Sequence, residues 1–136
     1  MIDYYRIPQK QNNIAQHERL KLLDDSEIKD AIYNKTIEKV KVLSLKNSNV
    51  KDDSFNLFKI ISVPLCVIEL DLSSNFSFIT DITIEILCSI NIMPELRLLN
   101  IADNMITDES LAIMSKCYSL TKLEELVLFG NSDITS

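Results

Sequence analysis

Glycine is almost missing from this chain. Gly130 is the only one, beside three prolines, in 136 residues. One glycine cannot build a phosphate-cradling loop or a flexible glycine linker. Tight connections must therefore draw on Asn, Asp and Ser, the other residues that tolerate turn geometry. Histidine is equally scarce, with His17 alone, and the three cysteines (Cys66, Cys88 and Cys117) stand far apart with no CxxC pair. That set predicts neither a zinc site nor a disulfide framework. It reads as reduced, buried thiols in a cytoplasmic protein. With no metal-ligand set, no nucleophile beside a base and no converging carboxylates, the expectation is no cofactor, no metal and no enzyme.

Positive charge is also in short supply. Fourteen Lys and Arg face twenty Asp and Glu, for a net charge of -6 and a pI near 4.7. A binder of phosphate backbones or anionic lipid would carry a basic patch, so nucleic acid and membrane surfaces are not expected partners. The opening MIDYYRIPQK has no apolar core of signal-peptide length. The longest uncharged apolar run, Ile60 to Ile68, is too short to span a bilayer and contains Pro64. Hydrophobic residues at 46 % and charged residues at 25 % fit one soluble globular domain.

What is present is repetition. Four segments align: VKVLSLKNSNVKD (40–52), VIELDLSSNFSFITD (67–81), LRLLNIADNMITD (96–108) and LEELVLFGNSDIT (123–135). Each follows LxxLxLxxN. The central leucines Leu43, Leu70, Leu99 and Leu126 and the turn column Ser48, Asn75, Asn104 and Asn131 both advance by 27, 29 and 27 residues. The longer step comes from two extra residues around Phe76-Ser77-Phe78, in a turn, where insertions are tolerated. Such periodicity signals an array of like units.

The second half of each unit repeats too. After Asp52, Asp81 and Asp108, apolar residues recur at +3, +6 and +9, with +5 widening the stripe, which predicts one buried face of a helix. Each Asp lies 18 residues before the next central leucine, and counting 18 back from Leu43 reaches Asp25, with Ile28 and Ala31 at +3 and +6. Residues 1–13 are thus read as an N-terminal extension. Residues 14–39 read as a cap of one or two helices without a strand of its own. Residues 40–136 make about 3.5 repeats of 27–29 residues.

Chemistry assigns the columns. Short strands such as LDL and LNI put leucines on one face and polar residues on the other. Asn at the exit supplies donors and an acceptor to backbone groups that burial would orphan. The Asp and the Thr before it suit a helix start. Asp103, Asn104 and Asp108 could also suggest a cation loop, but they lack the spacing and the glycine of a calcium-binding loop, so a structural turn is expected.

With these columns in place the chain resembles the leucine-rich-repeat proteins, in particular the ribonuclease-inhibitor-like and cysteine-containing types. NMITDESLAIM (104–114) is similar to that family's N-x-I-T-D-x-G-L turn, with Ser110 in place of the usual glycine, and KCYSL (116–120) resembles a cysteine-containing helix end. The likeness covers roughly residues 25–136. It implies a right-handed α/β leucine-rich-repeat solenoid, a horseshoe segment with short parallel strands on the concave face, helices on the convex face and an N-terminal helical cap. It further implies a scaffold or adaptor that grips another protein on its concave face. The alternative it allows is a regulatory subunit of an enzyme, such as a ubiquitin-ligase substrate adaptor or a GTPase regulator.

Strand positions pointing away from the leucines, with their neighbours in the same stripe, are the candidate contact residues: Lys46, Asp71, Ser73, Asn100, Val127 and Phe129, joined by Glu69, Arg97, Asp103 and Glu125. Most of the charged ones are acidic, so a basic or mixed partner is expected, with Phe129 as an apolar anchor. The chain stops at Ser136, just before a fourth repeat helix would be due. The sequence therefore predicts a bare edge strand near 123–131, covered by self-association, by a partner or by further chain.

Overall fold

The computed structural model describes residues 13–134. Five short strands, β1 (Arg19–Lys21), β2 (Val42–Ser44), β3 (Glu69–Asp71), β4 (Leu98–Asn100) and β5 (Glu125–Val127), form one open parallel sheet in the order β1-β2-β3-β4-β5. Sequence neighbours are sheet neighbours throughout, so the chain advances by one strand at each crossover. Three crossovers carry helical segments that pack in a row: α1 (Asp25–Tyr33), the stretch Asp52–Ile60 and α2 (Asp81–Ile90). The fourth, between β4 and β5, contains α3 (Asp108–Ser115).

The register follows the repeat. Leu43 pairs with Leu70, Leu70 with Leu99 and Leu99 with Leu126. The first three of these are fully buried between sheet and helices, together with Leu45, Leu72 and Ile101 two residues on. Alternation puts both leucine columns on one face of the sheet, and burying each such side chain contributes roughly 2 kcal/mol.

Two expectations need correction. The N-terminal segment is not strandless: α1 is present with Ile28 and Ala31 buried, but β1 precedes it and pairs with β2, Leu20 opposite Leu43. The spacing there is 23 rather than 27, because the chain passes from β1 almost directly into α1 and omits the Asn turn. His17 also occupies the column that Val40, Val67, Leu96 and Leu123 fill in later units, which disguised the match.

The second correction concerns residues 52–60, which form a 3-10 helix instead of an α-helix. Three residues per turn line up positions spaced by three. Phe55 and Phe58 stack there with ring centroids 5.8 Å apart, both fully buried. Ser54 supports the start by accepting from Lys51 N at 3.1 Å.

The Asn column does what its chemistry requires. Asn104 Nδ2 donates to Leu72 O at 3.0 Å and Ile101 O at 3.2 Å, while Oδ1 accepts from Asn75 N at 3.1 Å. Asn75 serves Ser48 N, Leu45 O and Leu72 O in the same way, and Asn131 serves Asn104 N, Ile101 O and Leu128 O. One position earlier, Asn47, Ser74, Asp103 and Gly130 all hold left-handed backbone, at φ between 46° and 79°. The lone glycine falls in that column for a second reason: a Cβ on it would lie 1.9 Å from Asp103 Oδ1. Among the described residues no helix is long and apolar enough to cross a membrane.

Candidate functional site

Where the chain leaves β2, β3 and β4, a side chain on the last strand residue turns back onto the backbone. Ser44 Oγ accepts from Lys46 N at 3.3 Å, Asp71 Oδ1 from Ser73 N at 3.0 Å and Asn100 Oδ1 from Ala102 N at 3.1 Å. These short polar loops hold the exit in a fixed shape. The left-handed residue that follows turns the chain towards its helix. Between these exits lies a groove of about 240 Å³, lined by Lys46, Asp71, Ser73, Ser74, Asn100, Asp103 and Phe129.

Six of the ten expected contact residues thus meet in one place, drawn from the loops after four neighbouring strands. Ser73 and Asn100 are buried and form the floor. Ser73 Oγ donates to Asp71 Oδ1 at 2.6 Å, fixing one carboxylate oxygen. Asp71 and Asp103 are half-buried, Lys46 is exposed, and Phe129 keeps 41 % of its surface exposed.

The other four residues lie elsewhere, contrary to the expectation of one continuous stripe. Glu69 is only 5 % exposed. It sits between Val42 and Leu98 in the register, and both of those are buried too, so this row is not an open surface. Val127, opposite Asn100, is buried. Arg97 and Glu125 are half-buried at the opposite ends of the strands from the groove. There Arg97 O accepts from Glu124 N and Glu125 N, and Arg97 Nη1 approaches Glu124 Oε2 at 4.0 Å.

Two residues that the sequence reading did not single out matter here. Ser74 belongs to the left-handed column, a signal visible as the position before each Asn. Lys21 comes from the overlooked β1; its Nζ donates to Lys46 O and, at 3.3 Å, to Ser48 Oγ. Burial lowers the pKa of Lys21, while the nearby Asp71 carboxylate works in the opposite sense. The groove therefore has Lys46 at its β2 end, with Lys21 bonded behind it, and two carboxylates further along.

No protein-family model and no curated protein matches the chain. Among the described residues no group of three His, Cys, Asp or Glu side chains is placed to hold a metal ion. The amide of Asn104 is committed to backbone partners instead. The cysteines differ from expectation: Cys66 is exposed, in the loop before β3, and Cys88 and Cys117 are half-buried, one near the end of α2 and one just after α3.

Proposed function

We propose that this chain is a protein-interaction module of the leucine-rich-repeat kind, a right-handed solenoid segment that grips a basic or mixed segment of another protein. The observation that carries the reading is the groove itself. Loops from four successive units deliver two carboxylates, a lysine, buried hydroxyl and amide groups and a half-exposed aromatic ring to one concavity. The repeat pattern supports it, since LxxLxLxxN positions meet strand to strand across an open parallel sheet.

In this reading Asp71 and Asp103 attract and orient a cationic side chain of the partner. Phe129 offers apolar area for the residue beside it, and the fixed loops keep the cost of ordering low. A regulatory subunit of an enzyme would use the same surface and differ only in what it captures.

The test starts with affinity capture and mass spectrometry to identify the partner, followed by titration calorimetry on three variants. Asp71→Asn and Asp103→Asn remove charge but keep an oxygen acceptor, and asparagine tolerates the left-handed backbone at 103. Each is expected to weaken binding roughly tenfold, and Phe129→Ala by about tenfold or more. An unchanged Kd in all three sinks the proposal. Glu69 is unsuitable for charge reversal, because a lysine there would put an ammonium where the fold buries a carboxyl group and would destabilise the chain.

A further inference from the structure

Between α2 and α3 lies a pair of thiols that the groove does not use. Cys88 is near the end of α2, and Cys117 follows α3 and leads into the 3-10 turn Tyr118–Leu120. Both line one cavity of about 340 Å³, and both are half-buried. Cys117 Sγ lies 2.9 Å from Ser119 Oγ and 4.0 Å from Cys88 O. Ser119, itself buried, donates from Oγ to the same Cys88 carbonyl at 3.1 Å. One hydroxyl thus joins the two cysteines. Lys116 and Glu85 line the same cavity with opposite charges, whereas Cys66 does not line it.

We propose that Cys88 and Cys117 are a hydroperoxide-reactive pair, Cys117 attacking and Cys88 resolving, which closes into a disulfide joining α2 to the segment after α3. The roles follow from the donors around each sulfur. Burial opposes the Cys117 thiolate, but the Cys88 thiol, the Ser119 hydroxyl (once its one proton turns from the Cys88 carbonyl to the sulfur) and the backbone N–H groups of Ser119 and Leu120 outweigh it and lower its pKa. Burial, and then the neighbouring Cys117, push the Cys88 pKa up, so Cys88 keeps its proton and points a donor at its partner. A thiol whose ionisation is favoured, beside one that keeps its proton, suits peroxide chemistry.

In the first step Cys117 S⁻ attacks one peroxide oxygen. An S–O bond forms as the O–O bond breaks, and the leaving hydroxide or alkoxide takes up the proton that Cys117 released to solvent on ionising. Sulfur loses two electrons and the peroxide gains them. In the second step Cys88 sulfur attacks Cys117 sulfur, an S–S bond forms, and the S–O bond breaks. The Cys88 proton leaves with that oxygen as water. Two thiols and one hydroperoxide become one disulfide, one water and one further water or alcohol.

The experiment treats the full chain with hydrogen peroxide, alkylates the remaining thiols and reads intact mass and peptide maps. The expected result is a loss of about 2 Da before alkylation, a Cys88–Cys117 linked peptide and an alkylated Cys66. With Cys88→Ser the reaction should stop at a Cys117 sulfenic acid captured by dimedone. With Cys117→Ser, peroxide-dependent loss of thiol should slow roughly tenfold or more. Circular dichroism checks that both variants keep their helices, and the wild-type mass measurement stands whether or not they do. Both thiols still alkylated after that treatment, a bond that includes Cys66, or unslowed oxidation of Cys117→Ser would each overturn the proposal.

Discussion

Replacing Asn104 by alanine would remove four side-chain hydrogen bonds at once, to Asn75 N, Leu72 O, Ile101 O and Ala102 O. The site is buried, so no water replaces them. With unpaired backbone groups at roughly 1–3 kcal/mol each, Asn104→Ala should lose at least about 3 kcal/mol in urea unfolding. Ser48, at the same place two units earlier, has a single hydroxyl proton and reaches Leu22 O at 2.8 Å. Ser48→Ala should cost only about 1 kcal/mol. Equal losses at the two sites would show that the column is held by packing, not by its amides.

The helical layer is tied together by carboxylates that reach forward. Thr80 and Thr107 cap their own helices, accepting from Ile82 N and Glu109 N. The Asp of the preceding unit then grips each start. Asp52 accepts from Thr80 N, Thr80 Oγ1, Thr83 N and Thr83 Oγ1 at 2.6–3.2 Å. Asp81 accepts from Thr107 N, Thr107 Oγ1 and Ser110 Oγ. Burial raises the Asp81 pKa, but these donors outweigh it, led by Ser110 and Thr107, and the net shift is below the ordinary 3.8. The unfolded chain then binds this proton more readily, so acid favours unfolding. The contribution is complete above about pH 4 and is lost as pH falls through the lowered pKa. Asp81→Asn should lower Tm at neutral pH and flatten the fall of Tm below about pH 4. A wild-type acid limb that the substitution leaves unaltered would rule out this carboxylate as its source.

At the scale of the whole molecule, each unit leans on its neighbours, and the middle is better enclosed than either end. Leu43, Leu70 and Leu99 are fully buried, while Leu20 on β1 and Leu126 on β5 are only half-buried. Contacts between helical segments likewise run between successive units. Local opening should therefore begin at the edges. Hydrogen exchange is expected to find the β3 and β4 amides protected at least about tenfold more than those of β5. Uniform protection across the sheet would mean that the chain opens only as one unit.

Much of this was legible in advance because it depends on local periodicity. Leucines at i, i+3 and i+5 with Asn at i+8 specify a strand, a turn and their register wherever they recur. The 18-residue spacing from Asp to leucine located α1, α2 and α3. Strand β1 was hidden because His17 and a shortened exit broke the columns, yet backbone pairing with β2 needs neither. The 3-10 form of 52–60 was also out of reach, since the same apolar spacing of three serves both helix types and only the Phe55–Phe58 stack selects one.

The contact residues divide along the same line. Strand alternation alone put Lys46, Asp71 and Phe129 on the face opposite the leucines, and Asp103 followed as their neighbour. Exposure, however, depends on what packs nearby, so Glu69 and Val127 became interior and Arg97 and Glu125 fell at the far strand ends. Whether an Asp caps its own helix or the next one, and whether two cysteines 29 residues apart share a cavity, is a matter of stacking between units. Only the folded chain brings those partners together.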